Sequence, residues 1–326
     1  MKKIVFVLLA GILTLSGCRK DDLSDIDFRQ EMRNFVQEIS EYAKTKDSGF
    51  AIIPQNGTQI ISSEKESLVA DLEYINAIDG IGQESLYYGY DKDDKQTPSD
   101  ETNSILSYIN LAVDNGQVSV LVTDYCSTQS YVDDSYETNH YNGFIGFAAD
   151  DRELRSIPDY PAEPYNVNTD DIVQLSEARN LLYLINPEDF SSKENFISAI
   201  ENTDYDIILI DLFFGDNELL SSDDVNRMKI KKNGATRMVI CYMSIGEAED
   251  YRYYWNPEWD DDQPEWLDDE NSSWKGNYNV RYWYQEWKDV IFGSADSYLD
   301  KVISSGFDGV YLDIIDGFEF FEGKYE

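Results

Sequence analysis

Apolar residues in this chain follow two alternating rhythms. Short β-branched and aromatic runs recur at Phe50–Pro54, Ile78–Gly82, Val118–Asp124, Gly143–Phe147, Leu181–Ile185, Ile207–Leu212, Met238–Met243 and Gly309–Ile314. Most are apolar at consecutive positions, as expected of strands covered on both faces. Between several of them the period lengthens to 3.6. Phe28, Met32, Phe35, Val36, Ile39, Tyr42 and Ala43 form one stripe over 28–43. Asp27 is placed to cap that helix, with Gln30 at the capping-box position. Ser191–Ile200, Asp223–Lys232 and Ala295–Ser304 also read as helices, the last two stopped by Gly234 and Gly306. The pattern predicts a single α/β domain, and its strand count is the one that a closed parallel (β/α)8 barrel requires. The alternation opens on a helix and closes on a strand, with too little chain after Ile314 for a further helix. Residues 150–175 interrupt it. They are acidic, contain Pro158, Pro161 and Pro164, and read as a surface connector.

The first residues follow neither rhythm. Lys2 and Lys3 precede an apolar run from Ile4 to Leu15, too short to span a bilayer comfortably and typical of a secretory leader. Leu15-Ser16-Gly17-Cys18 resembles the bacterial lipobox. The expected organisation is a signal peptide over 1–17, a tether over 18–26 starting at a lipidated Cys18, and the folded unit over 27–326. Arg19-Lys20-Asp21-Asp22 resembles the signal that carries some Bacteroidetes lipoproteins to the cell surface. An outer-membrane, surface-exposed protein held by lipid alone is the expectation.

Charge narrows the partners. The formal net charge is −38, which repels a phosphate backbone and argues against nucleic-acid binding. Cationic ligands would be attracted. A single histidine, His140, leaves no His-rich metal site and makes Ser-His chemistry improbable. No cofactor motif is present, so neither metal nor cofactor is expected, and chemistry would have to run on carboxylates. Cys126 and Cys241 each fall inside a strand-like run and read as buried thiols.

Glycoside hydrolysis needs two carboxyl groups, one to protonate the leaving oxygen and one to attack the sugar or activate water. Acids at strand ends are Glu84, Asp124, Asp211, Glu247, Asp313 and Asp316. Such residues also serve as turn caps. In a closed barrel the last strand neighbours the first, so Asp313 and Glu84 would stand one strand apart and point into the same layer. A separation of about 5–5.5 Å would mean retention, and about 6.5–9.5 Å inversion. All six tryptophans lie between Trp255 and Trp287. On a barrel this loop covers the C-terminal face, where Trp274 and Trp287 are candidates to stack on sugar rings. The alternative is that the loop uses its tryptophans as its own core.

Five segments together resemble glycoside-hydrolase family 114. They are Gly-Phe-Asp-Gly-Val-Tyr-Leu-Asp-Ile-Ile-Asp (306–316), Cys-Tyr-Met-Ser-Ile-Gly-Glu-Ala-Glu-Asp-Tyr-Arg (241–252), Trp-Lys-Gly-Asn-Tyr (274–278), Ile-Ile-Pro-Gln-Asn-Gly (52–57) and Asp-Gly-Ile-Gly-Gln-Glu-Ser-Leu-Tyr-Tyr (79–88). The branch is the bacterial one once labelled cysteinyl-tRNA-synthetase-related. The resemblance implies a (β/α)8 barrel and an endo-α-1,4-polygalactosaminidase-like activity on a polysaccharide. It implies Asp313 as nucleophile and Glu84 as acid/base, with Tyr242, Ser244, Glu247, Asp250, Arg252 and Asn56 in the pocket. Gln83-Glu84 stands where polygalactosaminidase members have Asn-Glu. The segment order departs from the family, as if the chain were circularly permuted. Residues 150–175 would join the family's usual termini, and the new ends would open the loop after Asp316. A non-catalytic glycan-binding lipoprotein on the same scaffold is the competing reading.

Overall fold

The computed structural model describes residues 23–325 apart from 216 and 261. The expected leader, Cys18 and most of the expected tether lie outside the described residues. Its strands are β1 (Ala51–Pro54), β2 (Gly80–Glu84), β3 (Ser119–Tyr125), β4 (Ile145–Ala149), β5 (Leu181–Tyr183), β6 (Ile207–Ile210), β7 (Phe213–Phe214), β8 (Glu218–Leu219), β9 (Met238–Ser244), β10 (Glu247–Glu249), β11 (Leu267–Glu270), β12 (Asn277–Val280) and β13 (Gly309–Asp313). Its helices are α1 (Phe28–Lys46), α2 (Leu72–Ala77), α3 (Ser99–Asn115), α4 (Gln129–Tyr141), α5 (Lys193–Glu201), α6 (Ser222–Met228), α7 (Gln285–Ile291), α8 (Tyr298–Ser304) and α9 (Gly317–Tyr325).

The runs read from the sequence are β1 to β6, β9 and β13. They form two parallel sheets, ordered β1-β13-β9-β6-β5 and β2-β3-β4. The sheets meet beside β1, where Asp79 N donates to Ile52 O and Asn56 N to Gly82 O, each at 2.9 Å. These bonds flank a parallel bridge between Gln55 and Gly82. At the other edge β4 packs next to β5. The larger sheet curls strongly. The ring of Tyr183 on β5 lies 5.4 Å from that of Tyr311 on β13, although β6 and β9 separate the two strands. The Tyr183 hydroxyl reaches still further, to Gln55 Oε1 at 3.1 Å. Strands covered inside by one another and outside by helices have no wet face, which is why their sequence runs are continuously apolar.

Helix α1 buries Phe28, Met32, Phe35, Val36, Ile39 and Ala43. Asp27 accepts a bond from Gln30 N at 2.9 Å. The box does not close, because Gln30 Oε1 accepts instead from Arg33 Nε at 3.2 Å and Nη2 at 2.9 Å. Helix α6 stops at Met228, ahead of the expected Lys232, because Ile230 pairs with Thr236. Helices α3 and α4 escaped the periodicity reading. The first buries only Ile109 and Ala112 and the second Val132, Ser135, Tyr136 and Asn139, apolar stripes too thin to register. The expectation that no helix follows the last strand is corrected by α9. Phe318 and Phe321 are buried, Phe321 stacks on Phe28 at 5.5 Å, and Arg29 Nε donates to Glu322 at 2.9 Å. A helix this short holds only by docking, here onto the first turn of α1.

Residues 150–174 contain no helix or strand, in keeping with a connector. Their middle is pinned at the N-terminal ends of the parallel strands. Lys231 Nζ donates to Asp206 Oδ1 at 2.6 Å with both side chains fully buried. Asn168 Nδ2 donates to the other Asp206 oxygen at 2.9 Å, and Asp170 O accepts from Lys231 at 2.9 Å.

Candidate active site

Side chains on a strand alternate sides, so Gly82 and Glu84 share a face of β2, as Tyr311 and Asp313 do on β13. Gly82 lacks a side chain for a steric reason: a Cβ there would overlap the hydroxyl and ring of Tyr311. Glu84 therefore projects over Tyr311 into a ring of donors. Its Oε2 accepts from Gln55 Nε2 at 2.8 Å and Asn56 Nδ2 at 3.0 Å. Its Oε1 accepts from the Tyr125 hydroxyl. Asn56 Oδ1 in turn accepts from Glu84 N at 3.0 Å and Gln83 Nε2 at 3.2 Å. Gly82→Ala is expected to drive the Tyr311 ring off its position. The result is a loss of roughly 1–3 kcal/mol of stability from overpacking, read as a lower urea midpoint, together with a disturbed Glu84.

Asp313 ends β13, with Ser244 opposite it in register and Tyr242 opposite Tyr311. The Tyr242 hydroxyl donates to Asp313 Oδ2 at 2.6 Å. Burial first, and the charge of Glu84 second, push the Asp313 carboxyl up to about 7, against the pull of the Tyr242 bond and the Ile314 N–H. Burial and Glu319 push Asp316 up to about 6. The backbone around these acids is constrained. Ile314 has φ 59°, Asn56 58°, Ser85 55° and Gly57 54°, all left-handed, at the ends of the neighbouring strands β13, β1 and β2. For β-branched Ile314 this costs about 1–3 kcal/mol and is held by tight surroundings. A Cβ on Gly57 would lie 2.9 Å from Asp316 N, and one on Gly246 would overlap Ile314 O.

A cavity of about 330 Å³ opens beside these strand ends. It is lined by Glu84, Gln83, Asn56 and Asp316, and also by Glu101, Glu319, Tyr90, Tyr108 and Arg152. Four carboxylates thus face one guanidinium. Arg152 comes from the connector, lies 4.0 Å from the centre of the Tyr125 ring, and is held by Gly89 O at 2.6 Å and Asp93 at 2.7 Å.

Asp313 and Tyr242 do not line this cavity, and the remaining candidates also lie apart from it. Asp124 is buried, taking bonds from Tyr87 N at 2.8 Å, Tyr88 N at 3.1 Å and Ser135 Oγ at 2.6 Å. It fixes the loop after β2 to α4, so its expected place at the substrate is corrected. Asp211 and Arg252 are buried against each other in a two-pronged pair at 2.8 and 2.6 Å. Arg252 Nε also donates to Glu249 Oε2 at 2.6 Å. This knot fastens the aromatic loop to the end of β6. Ser244 donates to Glu247 O at 3.1 Å. Glu247 is buried, accepts from Asn271 at 2.7 Å, and has no partner for Oε2 among the described residues. Asp250 faces the turn at Gly276. Trp287 is fully buried and donates to Ile245 O at 2.9 Å. Trp274 is 52% exposed. No tryptophan lines the cavity. Trp255, Trp259, Trp266 and Trp287 form a chain of ring contacts at 5.0–5.2 Å, the loop's own core.

Residues 193–325 match the sequence model of glycoside-hydrolase family GH114. The match covers less than half of the chain. The GH114 segment carries Asp313, Tyr242, Asp316 and Glu319, while Glu84 lies outside it. Three curated proteins described as uncharacterized are similar to parts of the chain. One from Methanocaldococcus jannaschii is 47% identical over 131 residues, 40% of this chain and 36% of that protein. One from Thermotoga maritima is 54% identical over 81 residues, 25% of this chain and 24% of its own length. One from Deinococcus radiodurans is 34% identical over 123 residues, 38% and 37% of the two chains. The matches thus span little more than a third of these relatives at most.

Several residues of the site carried no sequence signal strong enough to name them. Tyr125 is the exception: on a strand, its alternation with Asp124 sends one of the two inward, and the inward one is the tyrosine. Gln55, Tyr183 and Arg152 reach the site from separate elements. Among the described residues no group of three or more His, Cys, Asp or Glu is placed to hold a metal ion. No helix among them is long and apolar enough to cross a membrane.

Proposed function

We propose that this protein hydrolyses an α-linked, amino-sugar-containing polysaccharide with retention. Asp313 is the nucleophile, Glu84 the acid/base, and the scaffold a circularly permuted (β/α)8 barrel. The observation that carries the reading is the coupling of Asp313 and Glu84. They flank β1, their charges act on one another, and strained backbone holds both strand ends. Glycosidic cleavage requires two carboxyls in unequal environments; here the raised one is Asp313, so the assigned roles act through the form in which Asp313 has given up its proton and Glu84 carries one. The excess of acids lining the cavity suits a cationic, partly deacetylated sugar. The barrel reading draws support from the curl of the larger sheet and the contacts at both edges between the sheets. The permutation draws support from α9 docking on α1, as consecutive elements would, and from a family match that stops short of β1 to β4. An anchor on Cys18 completes the proposal as a surface lipoprotein.

The glycan-binding alternative loses part of its support, since Trp287 is spent on the loop core and the exposed Trp274 does not line the cavity. A screen of galactosamine-containing polysaccharides should yield new reducing ends with the wild type and none with Glu84→Gln. No cleavage of any α-linked amino-sugar polymer would sink the proposal.

The pH profile tests the roles. kcat/KM reports the free enzyme, and a nucleophile must be ionised. With Asp313 at about 7, kcat/KM should show a limb near pH 7. Tyr242→Phe removes a bond that lowers Asp313, so the limb should move to higher pH. A limb near pH 7 that Tyr242→Phe leaves in place would show that it does not report Asp313.

A further inference from the structure

We infer that the chain is tethered by the same face that bears its carboxylates, so that a lipid on Cys18 turns the cavity toward the membrane and selects a glycan displayed at that surface. The substrate part rests on the glycosidase reading, and the anchor on Leu15-Ser16-Gly17-Cys18.

The direction of α1 carries the argument. Its first turns touch loops at the C-terminal ends of the strands. Arg33 Nη1 donates to Ile60 O at 3.3 Å and Ser62 O at 3.1 Å, beyond β1. Arg29 pairs with Glu322 in α9, and its charge acts on Glu319, which lines the cavity. Phe28 O accepts from Tyr282 at 2.8 Å, in the aromatic loop. The last turn of α1 is at the opposite end, where Lys44 Nζ meets Asp79 at 3.1 Å just ahead of β2. The chain therefore enters the fold on the cavity face. About ten residues separate Cys18 from Phe28 and reach at most roughly 35 Å. The buried Lys231–Asp206 knot, at the far ends of the strands, is held away from the bilayer.

Charge then sets the stand-off. Glu84, Glu101, Asp316 and Glu319 line the cavity, and the chain as a whole carries −38. An anionic leaflet repels such a face. The tether holds the cavity near the surface while repulsion keeps it from lying flat, which leaves a slot for a glycan strand.

Two measurements test this. In protein recovered from bacterial membranes, mass spectrometry should find Cys18 acylated, and an unmodified Cys18 overturns the anchor. Separately, the chain from residue 18 is coupled through Cys18 to a maleimide-headgroup lipid in phosphatidylethanolamine–phosphatidylglycerol vesicles. Cys126 and Cys241 are buried and do not compete. A bioorthogonal donor dye replaces Ser104, on the cavity rim, or Lys232, at the far end, and the acceptor is on the lipid headgroups. Energy transfer should be at least twofold greater from position 104, and should rise with salt as repulsion is screened. Equal or greater transfer from position 232 overturns the orientation. Neither readout needs activity. A protein inert on every polysaccharide but passing both would lose the glycosidase reading and keep the orientation.

Discussion

Replacing Asp313 with asparagine is expected to remove hydrolysis and to stabilise the protein above neutral pH. Loss of the attacking group should lower kcat by roughly 10⁴-fold, with the fold intact. Azide should partly restore turnover. With Asp313→Ala it attacks the substrate directly and gives a glycosyl azide of inverted configuration. With Glu84→Ala it attacks the glycosyl-enzyme and gives the retained one. Exchanged configurations would exchange the roles. The stability effect follows from linkage. Folded Asp313 keeps its proton up to about 7, whereas an unfolded aspartate releases it near 3.9. Folding thus takes up a proton between those values, and wild-type stability falls as pH rises from about 4 to about 7. Asparagine has no such proton. The variant should match the wild type below about pH 4 and exceed it above about pH 7, by roughly 2 kcal/mol once the side chain's remaining exposure is allowed for. Urea titrations at pH 4 and pH 8 measure this. A stability gap that does not change with pH would show that Asp313 is not held protonated.

The second large effect belongs to Arg252. Its guanidinium neutralises Asp211 and Glu249 where all three are buried. Burial already pushes Asp211 up, against the pull of Arg252. Arg252→Met strands two carboxylates without their cation, and the loss should reach about 3–5 kcal/mol. Above neutral pH the deficit is full. It shrinks as pH falls, because protonation discharges the stranded acids. The triple variant Arg252→Met, Asp211→Leu, Glu249→Leu should recover most of the stability. Because Glu249 lies on β10, which pairs with β12 beneath the aromatic loop, tryptophan fluorescence should shift with Arg252→Met alone. A single variant as stable as the wild type at pH 8 would mean that the knot does not hold the loop.

The same knot marks where sequence reading reaches its limit. Asp211 and Arg252 are acids and bases at strand ends by any one-dimensional criterion, as Glu84 and Asp313 are. What separates them is whether a cation faces the acid, and that depends on elements about forty residues apart being brought together. Asp124 and Tyr125 make the point within two positions. Residue type singled out the aspartate, while strand alternation gave the inward place to the tyrosine. The tryptophans were legible as a cluster, but which of them form its core was not, because a large apolar surface reads alike whether it will face a sugar or another indole.

The order of apolar runs in this sequence determined by itself that the chain is α/β and where its eight core strands lie. Periodicity is a local property, and it survives in a linear reading. The tertiary structure decided the rest: that α9 exists, that Glu84 collects three donors, that Asp313 is pushed toward neutrality, and that the cavity is walled by acids and tyrosines with no tryptophan. Each of these depends on burial and on charges from other strands. Those are properties of distance in space, and a sequence records only distance along the chain.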